Sequence, residues 1–360
     1  MAFNRQSGQK AVLARMGKFV ASGWFIQGDE VSNQSRRSLV CYNVLVNVAA
    51  NLIGGSFFTG LMIVLEADDA FAGLVTVLIY GANLLQLFTP VILERFTRRK
   101  PLLITIRVVI HLINIVFIGL IPFLPVKTSN RLILFGFSVF LVNALSALSG
   151  PGFSVWHIAH VPPSMRVQYF SLVTMLNGIF VAVFNLLGSG VVDMFKRAGM
   201  ELWGLTILRV LALVLAAFDI RQLIRIKELP VQKPLHKLRL KAMLTEPWKH
   251  PVYLRSVLVV VLWSLVANLP GGFYTLYLLR EVQVSYSYIM LISSFNVVVL
   301  TLLTFVWRRI FLKHNWLRPL AVAILLLAPH YALLAFVSEG LMILYPVAVI
   351  WSFVCTSGIN

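Results

Sequence analysis

Six asparagines stand near the middle of long apolar runs, and their side chains are the first groups in this chain that could bind a solute. A carboxamide both donates and accepts hydrogen bonds, so it suits a neutral polar molecule. Because an unpaired amide is costly in an apolar environment, such residues face neighbouring helices or a cavity. Two roles therefore stay open, namely bonds between helices and the lining of one common cavity. The six are Asn51, Asn83, Asn143, Asn177, Asn268 and Asn296.

Aromatic residues in the same runs could form one wall of that cavity, because an aromatic face stacks on a ring or a sugar. Trp263 and Trp351 are the aromatic residues that we expect at the site, with Tyr80 as a further candidate. Tyr274 lies closer to the end of its run, where the aromatic belt of a membrane–water interface is the alternative.

The sequence contains no pattern typical of an enzyme or a cofactor site. It has no HExxH or GxSxG motif and no paired carboxylates within its apolar runs, so we predict no catalytic, metal or cofactor site. The two cysteines, Cys41 and Cys355, are far apart and form no metal-binding spacing. Proton-driven carriers usually place a carboxylate or a histidine within the membrane. Here Asp193 and Asp219 stand at the ends of runs, and the histidines within predicted spans, His111 and His330, fall in spans three and nine. The sequence therefore assigns no coupling ion.

Composition indicates a membrane protein. Of the 360 residues, 59% are hydrophobic and 12% are charged, whereas a soluble domain is about half apolar and about a quarter charged. The net charge of +18 could suggest nucleic acid, but the cations occupy short turns between apolar runs. Such turns orient helices in a bilayer. We therefore predict a lipid bilayer with an anionic cytoplasmic leaflet as a partner, and no nucleic acid.

The apolar runs predict an all-α, polytopic membrane helix bundle. A spanning helix needs about 20 mostly apolar residues, and that rule yields about ten spans. We expect Gly150-Pro151-Gly152 to end the fourth span, because proline cannot continue a regular helix. The spans lie near 39–65, 71–93, 102–125, 132–153, 169–192, 202–220, 255–279, 285–307, 319–337 and 341–360.

The distribution of cations predicts the orientation of the bundle. With a cytoplasmic N-terminus, 24 lysines and arginines lie in cytoplasmic segments and 5 in external turns, as the positive-inside rule requires. The chain then divides into a cytoplasmic amphipathic segment, a six-helix bundle, a basic cytoplasmic linker and a partial second bundle. A disordered tail is the alternative for the first of these. The boundaries are 1–38, 39–220, 221–254 and 255–360.

Two cations lie within predicted spans. Arg107 is close enough to the cytoplasmic edge to reach the lipid head groups, although a counter-charge for the substrate is the alternative. Arg209 is deeper, and no carboxylate at mid-span is present to pair with it. Amides suit a neutral solute whereas Arg209 would suit an anion, so the sequence leaves the substrate open.

A basic turn occurs once in each half of the chain. Residues 94–103 and 312–321 align without a gap, and each segment places cations before a proline that starts the next apolar run. This repeat indicates a duplicated helical bundle. A carboxylate among cations at a helix end could lock one conformation, whereas the alternative is that the cations only hold the turn in the cytoplasm. The candidate gating residues are Glu94, Arg95, Arg98, Arg99 and Arg166.

These features resemble the major facilitator superfamily of secondary transporters. The segment from Trp156 to Ser171 looks like the Trp…Pro-x-x-x-Arg-x-x-(Tyr/Phe)-Phe-Ser turn of some bacterial members. The family also has a Gly-x-x-x-Asp-Arg-x-Gly-Arg-Arg turn, in which both glycines are replaced here. The matching positions of that turn are Pro90, Glu94, Arg95, Thr97, Arg98 and Arg99.

The resemblance implies a monomeric transporter that moves a small-molecule solute by alternating access. It implies a location in the plasma membrane, which is the inner membrane of a bacterial cell. The alternative is a non-transporting scaffold or regulatory relative with the same fold. In the resembled fold, spans one, two, four, five, seven and eight line the central cavity, and these spans carry the six amides. Members usually have twelve spans, so we expect this chain to be truncated after its tenth.

Overall fold

The structure is a computed structural model that describes residues 30–94, 96, 98–228, 273–295 and 317–359, with isolated positions between 245 and 303. Within these residues the chain is helical and contains no strand, which confirms the predicted all-α class. Most of the predicted segments 1–38 and 221–254 lie outside the described residues.

Among the described residues, six helices are long and apolar enough to cross a membrane. Each contains the core of one of the first six predicted spans and extends past it at one or both ends, by up to seven residues. Polar residues at the ends continue a helix because its backbone hydrogen bonds need no apolar surroundings. The helices are α1 (Ser32–Val64), α2 (Asp69–Leu93), α3 (Arg99–Phe123), α4 (Thr128–Ala159), α5 (Gln168–Arg197) and α6 (Glu201–Arg225).

Shorter described helices correspond to parts of the seventh to tenth predicted spans. They are α7 (273–280), α8 (Tyr286–Phe295), α9 (Leu317–Ala335) and α10 (Leu344–Ile359). Helices α9 and α10 pack against each other. The number of spans in this part of the chain stays a prediction.

Successive helices run in opposite directions, so α1, α3 and α5 begin at one end of the bundle, where α2, α4 and α6 finish. We call this end the basic face, since the turns with Lys100 and Arg166 lie there. The Lys100 Nζ donates to the carbonyls of Ile224 and Ile226, at 2.7 and 2.6 Å. At the same face the Lys227 amide donates to Ser35 Oγ at 3.1 Å. These bonds join the starts of α1 and α3 to the end of α6.

The first six helices form one bundle with an apolar outer surface. Helix α1 packs along α5 and α6, and α4 packs along α2 and α3. Large apolar side chains such as Val77, Ile133 and Leu187 are about two-thirds exposed, at 67%, 65% and 66%. Such exposure is expected of a helix that faces lipid, where the backbone is satisfied within the helix and the side chains need no protein cover.

The Gly-Pro-Gly sequence does not end α4, contrary to the prediction. Pro151 lies inside the helix, which continues to Ala159. A proline removes the hydrogen bond to the carbonyl four residues earlier, here that of Ala147. The buried Thr89 hydroxyl of α2 donates to that carbonyl at 3.1 Å. A neighbouring helix thus satisfies the group that proline leaves free, as membrane bundles allow.

Replacing Thr89 with valine tests this account. The Ala147 carbonyl would then be buried without a donor, so we expect a loss of about 1–2 kcal/mol of stability in detergent. The matched control is Thr76→Val, because the Thr76 hydroxyl donates only within its own helix, to Ala72 at 3.0 Å. Equal losses in the two variants would contradict the role of Thr89.

Candidate functional site

A ladder of asparagines runs along one face of α1. Asn43, Asn47 and Asn51 are spaced by four residues, so one helix face carries all three. The Asn51 Nδ2 donates to the Asn47 carbonyl at 2.8 Å, and the Asn47 Nδ2 donates to the Asn43 carbonyl at 2.7 Å. Asn177 of α5 joins this ladder through a bond from its Nδ2 to Asn43 Oδ1 at 2.9 Å. The ladder therefore connects α1 to α5.

The same network continues toward the basic face. Asn43 Nδ2 lies 3.5 Å from His157 Nδ1, and His157 Nε2 lies 3.0 Å from the Tyr169 hydroxyl. That hydroxyl donates to the Arg36 carbonyl at 3.2 Å. Sequence reasoning missed Asn43 and Asn47, although their four-residue spacing with Asn51 was a usable signal.

The predicted amides are distributed over several places. Asn51 and Asn177 share the ladder, whereas Asn83 is exposed near the middle of α2. Asn143 is half-buried and lies on the wall of a separate cavity of about 300 Å³. Trp351 donates from its Nε1 to the Leu326 carbonyl at 2.6 Å, which joins α10 to α9. Trp263, Asn268 and Asn296 lie outside the described residues, so one common layer of amides stays a prediction.

Two of the candidate gating cations, Arg99 and Arg166, bond to carbonyls near helix ends. Arg99 donates from Nε to the Leu93 carbonyl at 3.3 Å, and Arg166 donates from Nε to the Val161 carbonyl at 3.1 Å. Cations are favourable at such carbonyls because helix C-termini carry partial negative charge. Arg98 is exposed. Arg95 and the Glu94 side chain lie outside the described residues, so a gating role for this turn stays a prediction.

The end of the bundle opposite the basic face joins the first six helices to the later ones. Asp193 of α5 accepts two backbone hydrogen bonds at the start of α8. Its Oδ1 is 2.9 Å from the Tyr286 amide, and its Oδ2 is 2.7 Å from the Ser287 amide. A carboxylate at a helix N-terminus satisfies free amides and is favoured by the helix dipole. Asp193 is 7% exposed, so water competes little for these bonds.

Tyr286 fills the space beside Asp193. Its side chain is fully buried, and its ring stacks on Phe57 of α1 with centroids 5.9 Å apart. The Tyr286 hydroxyl donates to Glu201 Oε1 at the start of α6, at 2.6 Å. Gly60 of α1 provides the room, because a Cβ there would lie 2.8 Å from the Tyr286 Cζ. We call Asp193, Glu201, Gly60 and Tyr286 the clasp.

Arg280 adds a contact at the rim of the clasp. Its Nη1 donates to Asp69 Oδ1 at 3.0 Å, and its Nη2 donates to the Ala67 carbonyl. Asp69 is 77% exposed, so water and salt weaken this pair. The buried members of the clasp therefore contribute more to the junction than the rim does.

Two polar side chains of α3 contact neighbouring helices, His111 on α6 and Arg107 on α1 and α4. His111 Nε2 lies 2.7 Å from Asp219 Oδ2, and Asp219 is fully buried. Arg107 donates from Nη2 to the Tyr42 hydroxyl at 2.8 Å and lies over the Phe153 ring. These contacts give Arg107 partners inside the bundle.

Arg209 of α6 has a backbone acceptor instead of an acidic one. Its Nη1 donates to the Asn114 carbonyl at 2.7 Å. Residues Leu112–Phe117 of α3 form a π-helical stretch, which is the kind of irregularity that frees carbonyls for other donors. Arg209 is 6% exposed, so its charge lies behind the helix backbone instead of in an open cavity.

The fold is similar to those of solved membrane transporters. The nucleoside transporter NupG superposes with a TM-score of 0.63 at 14% identity, over 90% of this chain and 80% of that one. A bacterial homolog of the human lysosomal transporter Spinster, in an inward-facing and unoccupied conformation, gives a TM-score of 0.61 at 15% identity, over 92% and 74%. A D-xylose–proton symporter gives 0.59 at 14% identity, over 90% and 80%. The sequence matches no protein-family model and no curated protein sequence.

Proposed function

We propose that this chain, which has the fold of the major facilitator superfamily transporters, moves a small polar solute across a membrane by alternating access. Structural neighbours that carry a nucleoside and D-xylose support transport in general. A non-transporting scaffold with the same fold is the second candidate. The clasp favours the transporter, because a scaffold needs no separable junction between two helical units.

The observation that carries the proposal is the chemistry of the clasp. In alternating access, the two units part on one side while they close on the other. Asp193 joins the first unit to the start of α8 through two hydrogen bonds to backbone amides. The apolar side chains around it, Phe57 and Tyr286 among them, belong to one buried cluster that reaches into both units, so these hydrogen bonds add a directional contact that can break and re-form as the units move. The clasp is therefore suited to act as a gate.

The positive-inside rule predicts on which side of the membrane the gate lies. The basic face carries most of the cations, so we place it and the N-terminus in the cytoplasm. The clasp then lies outside, and the described conformation is closed to the outside. We place the protein in the plasma membrane as a monomer, with the units at 39–220 and 255–360 joined by the 221–254 linker. The solute would contact the candidate residues Asn51, Asn83, Asn143, Asn177, Trp263, Asn268, Asn296 and Trp351.

Replacing Asp193 with asparagine tests the gate. The variant keeps one acceptor oxygen but loses the charge, and charge-assisted hydrogen bonds are about twice as strong as neutral ones. We expect external opening to become about five-fold more frequent, for a loss of about 1 kcal/mol. The measurement is the labelling rate of Asn51→Cys in intact cells by a membrane-impermeant maleimide, in a background without Cys41 and Cys355.

The matched control is Asp68→Asn. Asp68 Oδ1 accepts the Phe71 amide at 2.7 Å, so it caps α2 within the first unit and does not join the two units. Its labelling rate should equal that of the parent protein. An unchanged rate in Asp193→Asn would remove the support for a gate. Small solutes are then screened on the purified Asn51→Cys protein. A solute that the protein transports should change the rate at which this cysteine is labelled, whereas a scaffold should respond to none.

A further inference from the structure

Helix α1 is broken at Gly54-Gly55, close to Asn51. Gly54 is extended, with φ −105° and ψ −171°, and Gly55 has φ +52°. Residues other than glycine rarely adopt such a positive φ. At Gly54 a Cβ would lie 2.8 Å from the Ala50 carbonyl oxygen, so both glycines are required for the break. The amides of Phe57 and Phe58 already bond to the Gly54 carbonyl, at 3.1 and 3.3 Å.

A cavity of about 300 Å³ lies beside this break, within the first six helices. Three polar side chains line it, those of Asn114 on α3 and of Asn143 and Ser146 on α4. The Asn143 Nδ2 donates to the Val139 carbonyl at 2.8 Å, which leaves its Oδ1 available. Among the described residues, no side chain or backbone group bonds to the Asn114 carboxamide. The remaining lining is apolar and includes Phe58 and Ile79.

Arg209 bonds to the backbone of α3 at Asn114, on the side of that helix away from the cavity. The bond from Arg209 Nη1 to the Asn114 carbonyl fixes the π-helical stretch of α3. Gly119 lets α6 approach, because a Cβ there would lie 3.0 Å from the Arg209 Cδ. Arg209 is thus a positioning residue and does not line the cavity. Among the described lining residues none is charged, which favours a neutral ligand over an anion.

We infer that this cavity binds a neutral, polyhydroxylated molecule of about pentose size. Two carboxamides and one hydroxyl can exchange hydrogen bonds with the ligand's hydroxyls, while Phe58 and Ile79 contact its carbon skeleton. The volume is at the lower end of about 300–1,000 Å³ for small-molecule sites. The site lies inside one helical unit, away from the junction of the two. That the bound molecule is also the transported one rests on the proposed function.

Equilibrium binding to the purified full chain tests the inference. The probes are D-xylose and ribitol, with D-xylonate as the charged counterpart of the same skeleton. We expect saturable calorimetric binding of at least one neutral probe and about ten-fold weaker binding of D-xylonate, because the cavity offers no described cation to pair with a carboxylate. Asn143→Leu should lower the affinity for the neutral probe by about ten-fold, because it removes an amide partner and leaves a ligand hydroxyl unpaired.

The matched control is Asn130→Leu, the same substitution at an exposed position of α4, which should bind as the parent protein does. Asn143→Gln keeps the carboxamide and should retain more affinity than Asn143→Leu. If neither neutral probe binds, the cavity holds water only and the inference is wrong. Binding that survives in both Asn143→Leu and Asn114→Leu would place the ligand elsewhere and equally overturn it. The gate's labelling rate is independent of these results, so the two proposals fail separately.

Discussion

Replacing His111 with leucine is expected to lower the free energy of unfolding in detergent by about 3–5 kcal/mol. The substitution leaves the fully buried Asp219 carboxylate without the imidazole that lies 2.7 Å from it. An unpaired buried charge is far costlier than the lost contact itself. The charged and titratable groups near Asp219 on the neighbouring helices are Arg107 of α3 and Tyr42 of α1. Arg107 already bonds to Tyr42, so it does not replace the lost imidazole.

A double substitution distinguishes the loss of the pair from a loss of packing. In His111→Leu with Asp219→Leu both polar groups are gone, so most of the lost stability should return. Steric-trapping measurements or unfolding in mixed micelles would provide the free energies. If the double variant is as unstable as His111→Leu alone, packing and not charge decides, and the ionic account of this pair is wrong.

Replacing Gly60 with alanine is expected to open the clasp. The added Cβ would lie 2.8 Å from the Tyr286 Cζ, and Tyr286 cannot yield easily because it is fully buried against Phe57. Overpacking of this kind costs about 1–3 kcal/mol, which corresponds to a shift of about five- to 150-fold toward external opening. The external labelling rate of Asn51→Cys reports the shift.

Gly190→Ala is the matched control, because a Cβ at that position on α5 meets nothing within 4 Å. The control should label as the parent protein does. Combining Gly60→Ala with Tyr286→Phe removes the hydroxyl, which is the atom nearest to the added Cβ, and with it the bond to Glu201. The double variant should therefore regain closure only in part, because the ring carbon Cζ still lies 2.8 Å from the Cβ and the bond to Glu201 is lost. Slow labelling in Gly60→Ala would show that Tyr286 moves aside without opening the junction.

The sequence alone determined the helical class and the first six spans. Backbone groups in lipid must be satisfied within each segment, so a long apolar run has one regular solution and its length sets the span. The same local argument located the mid-span amides and raised the question of Arg209. The local argument could not predict the hydrogen-bond partners of these residues, because a partner depends on which neighbouring helix lies at the same depth.

Only the tertiary structure decided how the polar groups pair. Asp193 meets the start of α8 across 93 positions of sequence, and Thr89 reaches the carbonyl that Pro151 leaves free across 58. The rule that proline ends a helix failed at Pro151 because it is local, whereas the compensating donor comes from α2. Arg209 likewise finds its acceptor on another helix, in the π-helical stretch of α3. Such bonds depend on the distance between helix backbones, which a one-dimensional pattern of apolar and polar residues does not contain.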